Sequence, residues 1–429
     1  MIRSVLYPEP SRWPEYIQRP VQKLEIIEPI IQQIFDQVKK EGDAGLKDLT
    51  ERLDKVALTD LLISPEEIRA ATDLVAPALK NAIGTAAENI KKFHSTQREP
   101  VFTVETMAGV TCWRKSIPID RVGLYIPGGS APLFSTLLML GIPAQVAGCP
   151  DIILCTPPDK TGNVHPAILY TAQLLGIEKI FKIGGAQAVA AMAFGTESVP
   201  AVYKIFGPGN QYVTVAKQMV SKIGVAIDMP AGPSEVLVLA DEQADPEFVA
   251  SDLLAQAEHG PDSQVVVLTD SKYLLKQVEA ALSRQIQDLP RKEIVEKALA
   301  NSVAIVLANA DQMLAFSNLY APEHLILAVQ HPEALADKVT NAGSVFLGNY
   351  TPESCGDYAS GTNHTLPTNA YARAYSGVSL DSFMKKITFQ QISEVGLKNI
   401  GNTVEIMAEA EGLQAHKNAV SIRLKTLSK

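Results

Sequence analysis

The stretch VGLYIPGGS at residues 122–130 has the pattern of a buried strand that ends in a glycine-rich turn. Two later stretches repeat the pattern, IFKIGGAQ at residues 180–187 and YKIFGPGN at residues 203–210. A further apolar run occupies residues 152–156, and a helix-compatible segment follows each run. Apolar runs without polar alternation are typical of strands buried on both faces, as in parallel sheets built from βαβ units. The sequence therefore predicts an open parallel sheet.

A second series of strands and helices follows further along the chain. Asp245-Pro246 predicts the start of a helix of about four turns that Gly260-Pro261 ends. Helical patterns begin at residues 272 and 311, and apolar runs lie at residues 265–269, 303–308, 325–329 and 344–348. We predict a second open sheet from this series.

Both ends of the chain are predicted to be helical. Residues 20–95 show helical periodicity, with a capping box at residues 64–67 and an interruption at Pro77. Residues from about 380 onward again show helix-like periodicity, and one such stretch is predicted to end at His416. Gly412 in this stretch should weaken the helix by about 1 kcal/mol relative to alanine.

Composition excludes several classes of protein. The 429 residues allow two or three domains, and a charged fraction of only 20% excludes a disordered or fibrous chain. A net charge of −9 argues against a nucleic-acid partner, which clustered Lys and Arg would bind.

Targeting and redox signals are weak. The most apolar stretch, residues 133–149, is interrupted by Gly141 and Pro143 and is shorter than the roughly 20 residues of a membrane span. The N-terminus lacks the apolar core of a signal peptide. From these two observations we expect no membrane association. Since the four cysteines fit no zinc or disulfide spacing, we expect a reduced, cytoplasmic setting.

The three glycine turns are candidates for a nucleotide site. Glycine lets the backbone approach a ligand, and a following helix offers free N–H groups to a pyrophosphate. None of the turns matches GxGxxG, and no Walker A lysine is present. The alternative, that glycine only permits tight strand–helix turns, stays open.

Candidate metal ligands are scattered along the sequence. Asp252, Gln256 and His259 form one polar stripe on the predicted helix, which could also be a solvated face. Asp357, His364 and His416 fall at loops or helix ends, and a Gln/His/Asp/His set of N and O donors suits zinc. Spacing alone does not show that these residues converge.

Proton transfer has two alternative sets of candidates. Glu323 and His324 precede a predicted strand and could share general-base work, although an extended backbone would point them to opposite sides. An exposed pair at a strand edge is the alternative. A thiolate at Cys112, Cys149 or Cys155 could instead form a thiohemiacetal, but none has a neighbouring His or Lys in sequence.

Taken together, these segments resemble one family, the histidinol dehydrogenases. The resemblance covers nearly the whole chain and is weakest before residue 100. The matching stretches are residues 123–130 (GLYIPGGS), 184–187 (GGAQ), 206–210 (FGPGN), 229–235 (MPAGPSE), 256–262 (QAEHGPD), 322–325 (PEHL), 356–364 (GDYASGTNH) and 415–420 (AHKNAV).

The resemblance implies oxidation of L-histidinol to L-histidine through L-histidinal, with two NAD and one zinc ion per subunit. It implies an interlocked homodimer in which each active site receives C-terminal residues from the other subunit. Glu323 would activate water, and His324 would act as the base in both oxidations. Within the family, a dehydrogenase for another small alcohol is the alternative, and a catalytically silent metal-binding protein is a more distant one.

Individual roles follow from the resemblance position by position. The zinc ligands would be Gln256, His259, Asp357 and His416. NAD would contact Tyr125, Gln187 and Asn210. Substrate would contact Ser234, His364 and Glu411, together with the zinc ligands and the Glu323–His324 pair.

The resemblance also implies a fold of two Rossmann-like, aldehyde-dehydrogenase-like open parallel-sheet domains with helical extensions. Residues 1–20 would form an N-terminal arm, and residues 379–429 a helical tail that reaches the partner's active site. The first α/β domain would combine residues 21–120 with 236–378, and residues 121–235 would form the NAD-binding domain.

Overall fold

The computed structural model describes residues 2–20, 24–128, 131–230 and 232–427. Its strands are β1 (Arg3–Leu6), β2 (Thr103–Met107), β3 (Val110–Pro118), β4 (Arg121–Tyr125), β5 (Asp151–Thr156), β6 (Lys179–Lys182), β7 (Lys204–Phe206), β8 (Ala226–Ile227), β9 (Glu235–Ala240), β10 (Gln264–Thr269), β11 (Val303–Val306), β12 (His324–Ala328), β13 (Ser344–Leu347) and β14 (Met384–Ile392). Its helices are α1 (Leu24–Asp54), α2 (Pro65–Asp73), α3 (Pro77–Ser95), α4 (Phe134–Ala147), α5 (Pro166–Leu174), α6 (Gly185–Phe194), α7 (Gln211–Ser221), α8 (Pro246–Ala257), α9 (Lys272–Gln285), α10 (Lys292–Ala300), α11 (Ala310–Tyr320), α12 (Pro332–Ala336), α13 (Glu353–Tyr358), α14 (Glu394–Ala410) and α15 (Gln414–Leu427).

Two open parallel sheets form the centre of the fold, as predicted. One has five strands in the order β6-β5-β4-β7-β8, and the other has six in the order β1-β11-β10-β9-β12-β13. In each sheet the chain winds outward from a central strand, first to one side and then to the other. This Rossmann-like order places a topological switch point between β4 and β7 in the first sheet and between β9 and β12 in the second.

The strands predicted from apolar runs are all confirmed, with ends that shift by one or two residues. The central strand β9 was not predicted, although all six of its residues are buried. Its parallel register pairs Val236 with His324 of β12, so that the amino ends of β9 and β12 lie side by side. This pairing positions the site described below.

The predicted helix starts are confirmed where capping chemistry is strong. Ser64 and Glu67 form the predicted capping box of α2, and Asp245 caps α8 by accepting from the Glu247 N–H. The helix α8 ends at Ala257, three residues before the predicted stop, and has 12 residues. His259 therefore lies beyond the helix rather than on its polar stripe.

The N-terminal helices pack on the five-stranded sheet's helices. Helix α1 contacts α6 and α7, α2 contacts α5, and α3 contacts α4. Apolar residues of α1 such as Ile31 and Leu46 share one buried cluster with Phe181 of β6. The domain boundaries given above stay predictions. They assign residues 21–120 to the other α/β domain, so they did not anticipate that α1, α2 and α3 pack on helices of the five-stranded sheet.

The chain divides into two compact units. One comprises the described residues up to Thr96 together with Ile119–Phe383, and the other comprises Gln97–Pro118 and the described residues from Met384. The second unit contains an antiparallel sheet in the order β14-β3-β2, with α14 and α15. None of the described helices combines the length and the apolar composition that crossing a bilayer requires.

Two predictions for the C-terminal residues are wrong. Residues 384–392 form β14 rather than a helix, because they pair along their whole length with β3. Gly412 does not lie inside a helix: it has φ +72° between α14 and α15, and His416 lies near the start of α15.

Candidate active site

A cavity of about 490 Å³ is lined by residues that lie at strand ends of both parallel sheets. Its wall includes Pro127 and residues 207–210, which follow β4 and β7. It also includes Ser234, Glu323 and His324, which lie at the amino ends of β9 and β12. The cavity therefore combines glycine turns suited to an anion with a group of ionisable side chains.

His324 is buried at the base of this group. Its Nδ1 lies 3.2 Å from the carbonyl oxygen of Glu235, which can only accept a hydrogen bond. In the neutral ring the proton therefore sits on Nδ1, and Nε2 carries the lone pair. Nε2 has no hydrogen-bond partner and lies 3.4 Å from Asp357 Oδ1.

Glu323 lies beside His324, despite the alternation expected of a strand. Glu323 precedes β12 and follows Ala321, whose φ of +53° turns the chain at the end of α11. Its Oε2 accepts from the Glu235 N–H at 2.8 Å and lies 3.7 Å from His324 Nδ1. The structure thus brings together the predicted pair and buries both members, rather than leaving them at an exposed edge.

Carboxylates dominate the electrostatics around His324. Burial opposes its charge, but Glu353, Glu323 and Asp357 together raise the pKa of His324 well above its ordinary value. Burial raises the pKa of Glu323 to about 8. Three carboxyl groups around one imidazole form a site suited to a cation.

A possible metal site lies next to this pair. Ligand atoms of His259, Glu353 and Asp357 all lie within 4.8 Å of one another. Gln256 is adjacent: in the amide orientation that satisfies both ends, its nitrogen donates to Glu353 and its oxygen accepts from the Glu235 N–H at 2.8 Å. The buried Oε2 of Glu353 has no hydrogen-bond partner. Because this donor set supplies imidazole nitrogen and oxygen atoms, the residues fit a zinc ion.

Two predicted substrate contacts, Ser234 and His364, also line the cavity. His364 Nδ1 lies 2.7 Å from the Asp357 carbonyl oxygen, and its Nε2 lies 3.1 Å from Thr136 Oγ1. Burial lowers the pKa of His364, which favours the neutral ring. Glu411 and His416, by contrast, are exposed residues of the second compact unit.

The predicted nucleotide contacts lie around the carboxyl end of the five-stranded sheet. Asn210 lines the cavity and caps α7 by accepting from the Val213 N–H. Tyr125 and Gln187 are buried and are not among the cavity's lining residues. The Tyr125 hydroxyl accepts from the Gly185 N–H, and Gln187 donates to Asp54 at 3.3 Å. Gly129 and Ser130 of the first glycine turn lie outside the described residues.

Sequence reasoning missed Glu353. It lies four residues before Asp357 on α13, so both side chains share a helix face. This spacing would have identified Glu353 if α13 had been predicted as a helix. The reasoning also missed a buried Lys217–Asp228 ion pair in the cavity wall.

The remaining candidates are the three cysteines. Burial raises the pKa of Cys149 to about 11 and also raises that of Cys155. Cys112 is half-buried on β3 of the second unit. None of these three thiols is a lining residue of the cavity.

Comparison with known proteins identifies the family. The sequence profile of the family described as histidinol dehydrogenase matches residues 17–424. A histidinol dehydrogenase of Bacteroides thetaiotaomicron is 58% identical over 427 residues, with both chains covered in full. One of Xylella fastidiosa is 54% identical over 395 residues, which cover 92% of each chain.

A solved structure gives the same result. The crystal structure of histidinol dehydrogenase from Elizabethkingia anophelis superposes with a TM-score of 0.98 at 59% sequence identity. The match covers 100% of this chain and 99% of that one. The chain therefore belongs to the histidinol dehydrogenase family of oxidoreductases.

Proposed function

We propose that the protein oxidises L-histidinol to L-histidine through L-histidinal, a four-electron reaction that uses two NAD and a zinc ion. The observation that carries the proposal is the convergence of Glu323, His324, His259 and Asp357 on one cavity. The family's name supports the substrate, and the imidazole and carboxylate groups supply the base chemistry that the reaction needs.

Zinc would be held by Gln256, His259 and Asp357 of one subunit and His416 of the partner subunit, one ion per subunit. When bound, zinc would hold the amine and imidazole nitrogens of histidinol and so fix the position of its carbinol carbon. The clustered N and O donors and the unpartnered Glu353 oxygen support this assignment. Ser234, His364 and Glu411 of the partner subunit would contact the substrate.

The first oxidation needs a base for the hydroxyl proton. In its neutral form His324 is suited to this, because its Nδ1 proton faces a carbonyl oxygen and its Nε2, which then carries the lone pair, has no hydrogen-bond partner. As Nε2 takes the proton, the carbinol carbon loses hydride and becomes the aldehyde carbon of histidinal. NAD, when bound, accepts the hydride of each oxidation.

The second oxidation needs water at the aldehyde. Glu323 would take a proton from this water as its oxygen adds to the carbonyl carbon, while the protonated His324 gives its proton to the carbonyl oxygen. The product is a gem-diol, and His324 is again a neutral base. Burial raises the pKa of Glu323 to about 8, which makes its carboxylate a stronger base. His324 then removes a hydroxyl proton of the gem-diol while a second hydride leaves, which yields the carboxylic acid.

The nucleotide is proposed to bind where the five-stranded sheet has its switch point, with contacts from Tyr125, Gln187 and Asn210. Open α/β sheets bind ligands at the carboxyl ends of the strands on either side of that point. Residues 207–210 lie at this place, follow β7 and line the cavity. Residues 121–235 would then form the NAD-binding domain.

A homodimer with shared active sites is part of the proposal. The second unit exposes large apolar side chains, including Phe102, Ile406, Met407 and Ile422, which are 59–72% exposed in the single chain. Exposed apolar groups of this kind often mark a protein–protein interface. A cytoplasmic setting is proposed as well, and it is consistent with four free cysteines.

A thiohemiacetal route through cysteine is the alternative mechanism. It is disfavoured because Cys149 and Cys155 are buried, with raised pKa values, and none of the three candidates lines the cavity. A triple alanine variant of Cys112, Cys149 and Cys155 should keep full turnover. Loss of aldehyde oxidation alone, with alcohol oxidation kept, would restore the thiolate mechanism.

Substrate identity is tested by assaying NAD reduction with histidinol and with other small alcohols, such as a sulfonated diol, at equal concentrations. We expect histidinol to have the highest kcat/KM. A higher kcat/KM for a sulfonated diol would move the protein to another activity within the family. No NADH formation with histidinol and zinc would favour a catalytically silent protein.

A further inference from the structure

The Lys217–Asp228 ion pair is buried in the wall of the cavity. The side chains are only 5% and 1% exposed, and both residues line the cavity. Lys217 lies on α7, and Asp228 directly follows β8. Neither was among the predicted site residues, and the proposed mechanism does not use them.

The pair holds one peptide group on each side of Gly207. The Gly207 N–H donates to Asp228 Oδ2 at 2.8 Å, and Lys217 Nζ donates to the Gly207 carbonyl oxygen at 2.7 Å. Asp228 Oδ1 contacts Lys217 and also accepts from the Met229 N–H at 2.7 Å. Both polar backbone groups of Gly207 are thus bonded to one buried ion pair.

The other side of Gly207 is also fixed. Its φ is +128°, and a Cβ atom there would lie 2.0 Å from the carbonyl oxygen of Tyr125 at the end of β4. The turn that follows β7 is therefore pressed against the end of β4, with the ion pair on its other side. Residues 207–210 are held at the switch point between these two strands.

General energetics favour a geometric role for this pair. A buried ion pair contributes little net stability compared with apolar residues of the same volume, because both charges lose their hydration. A simple structural role would be filled as well by apolar side chains. What apolar side chains cannot do is bond the N–H and the carbonyl of Gly207 at once.

We propose that Lys217 and Asp228 are positioning residues that hold residues 207–210 in the conformation that binds the dinucleotide. The inference rests on the proposed NAD site and adds to it two residues that would act through the turn rather than by direct contact. Loss of the pair should weaken NAD binding and leave the zinc content and histidinol binding unchanged.

The test is calorimetric titration of full-length, zinc-loaded protein with NAD and, separately, with histidinol. The main variant is Lys217→Met/Asp228→Asn, which keeps side-chain volume and an acceptor for the Gly207 N–H but removes the donor to its carbonyl. A matched control is Arg121→Met/Asp151→Asn, which removes an ion pair at the opposite, amino edge of the same sheet. Lys217→Gln/Asp228→Asn is the second variant in case the main variant does not fold: it also leaves no unpaired buried charge, and it keeps an amide donor at position 217.

We expect the main variant to bind NAD about tenfold more weakly or worse, since it loses a hydrogen bond from a charged donor. Lys217→Gln/Asp228→Asn should show a smaller loss of NAD affinity, and the control should bind NAD like the wild type. A folded main variant, or failing that a folded Lys217→Gln/Asp228→Asn, with unchanged NAD affinity would overturn the inference. An equal loss of histidinol affinity would also overturn it. If the wild type itself does not bind NAD, the proposed function is wrong, and this inference is overturned with it.

Discussion

His324 owes its suitability as a base to a backbone carbonyl, that of Glu235, which lies 3.2 Å from its Nδ1. The Glu235 carbonyl fixes the Nδ1 proton, so that the other ring nitrogen is free to accept one. Glu323 is held by the N–H of the same residue, Glu235. The backbone of one β9 residue, Glu235, therefore orients both members of the proposed catalytic pair.

The division of labour between these residues predicts different losses in the two half-reactions. His324→Ala should slow oxidation of histidinol to histidinal by about 10²–10⁴-fold, the usual contribution of a general base. Glu323→Gln should slow mainly the oxidation of histidinal to histidine, because only that step consumes water. Stopped-flow assays that begin from either histidinol or histidinal measure the two steps separately. Equal losses in both steps for Glu323→Gln would contradict this division.

Glu353 should matter for the metal although it was not among the predicted site residues. It contacts the Gln256 amide, and its Oε1 lies 3.8 Å from His324 Nδ1. We expect Glu353→Gln to weaken zinc affinity about 10–100-fold, the usual cost of losing a group that supports metal ligands. Competition with a chromogenic chelator measures this, with exposed Glu333→Gln as the control. Wild-type zinc affinity in Glu353→Gln would contradict the expectation.

At the scale of elements, Gly412 forms a helix stop rather than a weak point in a helix. The Gly412 N–H donates to the Glu409 carbonyl and the Leu413 N–H to the Ala408 carbonyl, which is the Schellman pattern. Its φ of +72° is unfavourable for any residue with a Cβ. The helix α15, which carries His416, begins two residues later.

Gly412→Ala should therefore destabilise the protein by about 1–2 kcal/mol, the cost of the left-handed conformation. Gly84→Ala is the matched control: Gly84 lies inside α3, and a Cβ there meets nothing within 4 Å. That substitution should stabilise the protein by about 0.5–1 kcal/mol. Urea denaturation of both variants measures the free energies. A gain in stability for Gly412→Ala would restore the view that this glycine weakens a continuous helix.

Much of the fold could be predicted from short-range patterns. Buried parallel strands such as β5 and β10 are apolar throughout, and the capping box of α2 is fixed by residues only three apart. The strand β14 could not be predicted in this way. Its polar and apolar residues are stabilised by pairing with β3, which lies about 270 residues earlier in the chain.

At the scale of the whole molecule, the site depends on contacts that sequence spacing does not encode. Parallel pairing of β9 with β12 brings Glu235 to His324, and α13 brings Asp357 to the same place. The family resemblance implied ten site residues in the first unit, but position-by-position transfer did not include Glu353 or Lys217. Such supporting residues are found only from distances and burial.

Sharing of active sites between subunits can be tested by complementation. A His324→Ala subunit and a His416→Ala subunit are both expected to form inactive homodimers. If each site takes His416 from the other subunit, every mixed dimer contains one intact site. Coexpression at equal levels should then restore about a quarter of wild-type activity, because half of the dimers are mixed. No recovered activity in isolated mixed dimers would contradict the shared site.

The most direct measurement follows NADH absorbance while a limiting amount of histidinol is consumed, with and without a zinc chelator. We expect two NADH per histidine formed, and no NADH after chelation until zinc is restored. One NADH per histidinol with histidinal as the final product, or unchanged turnover in fully zinc-free protein, would contradict the proposed four-electron, zinc-dependent reaction.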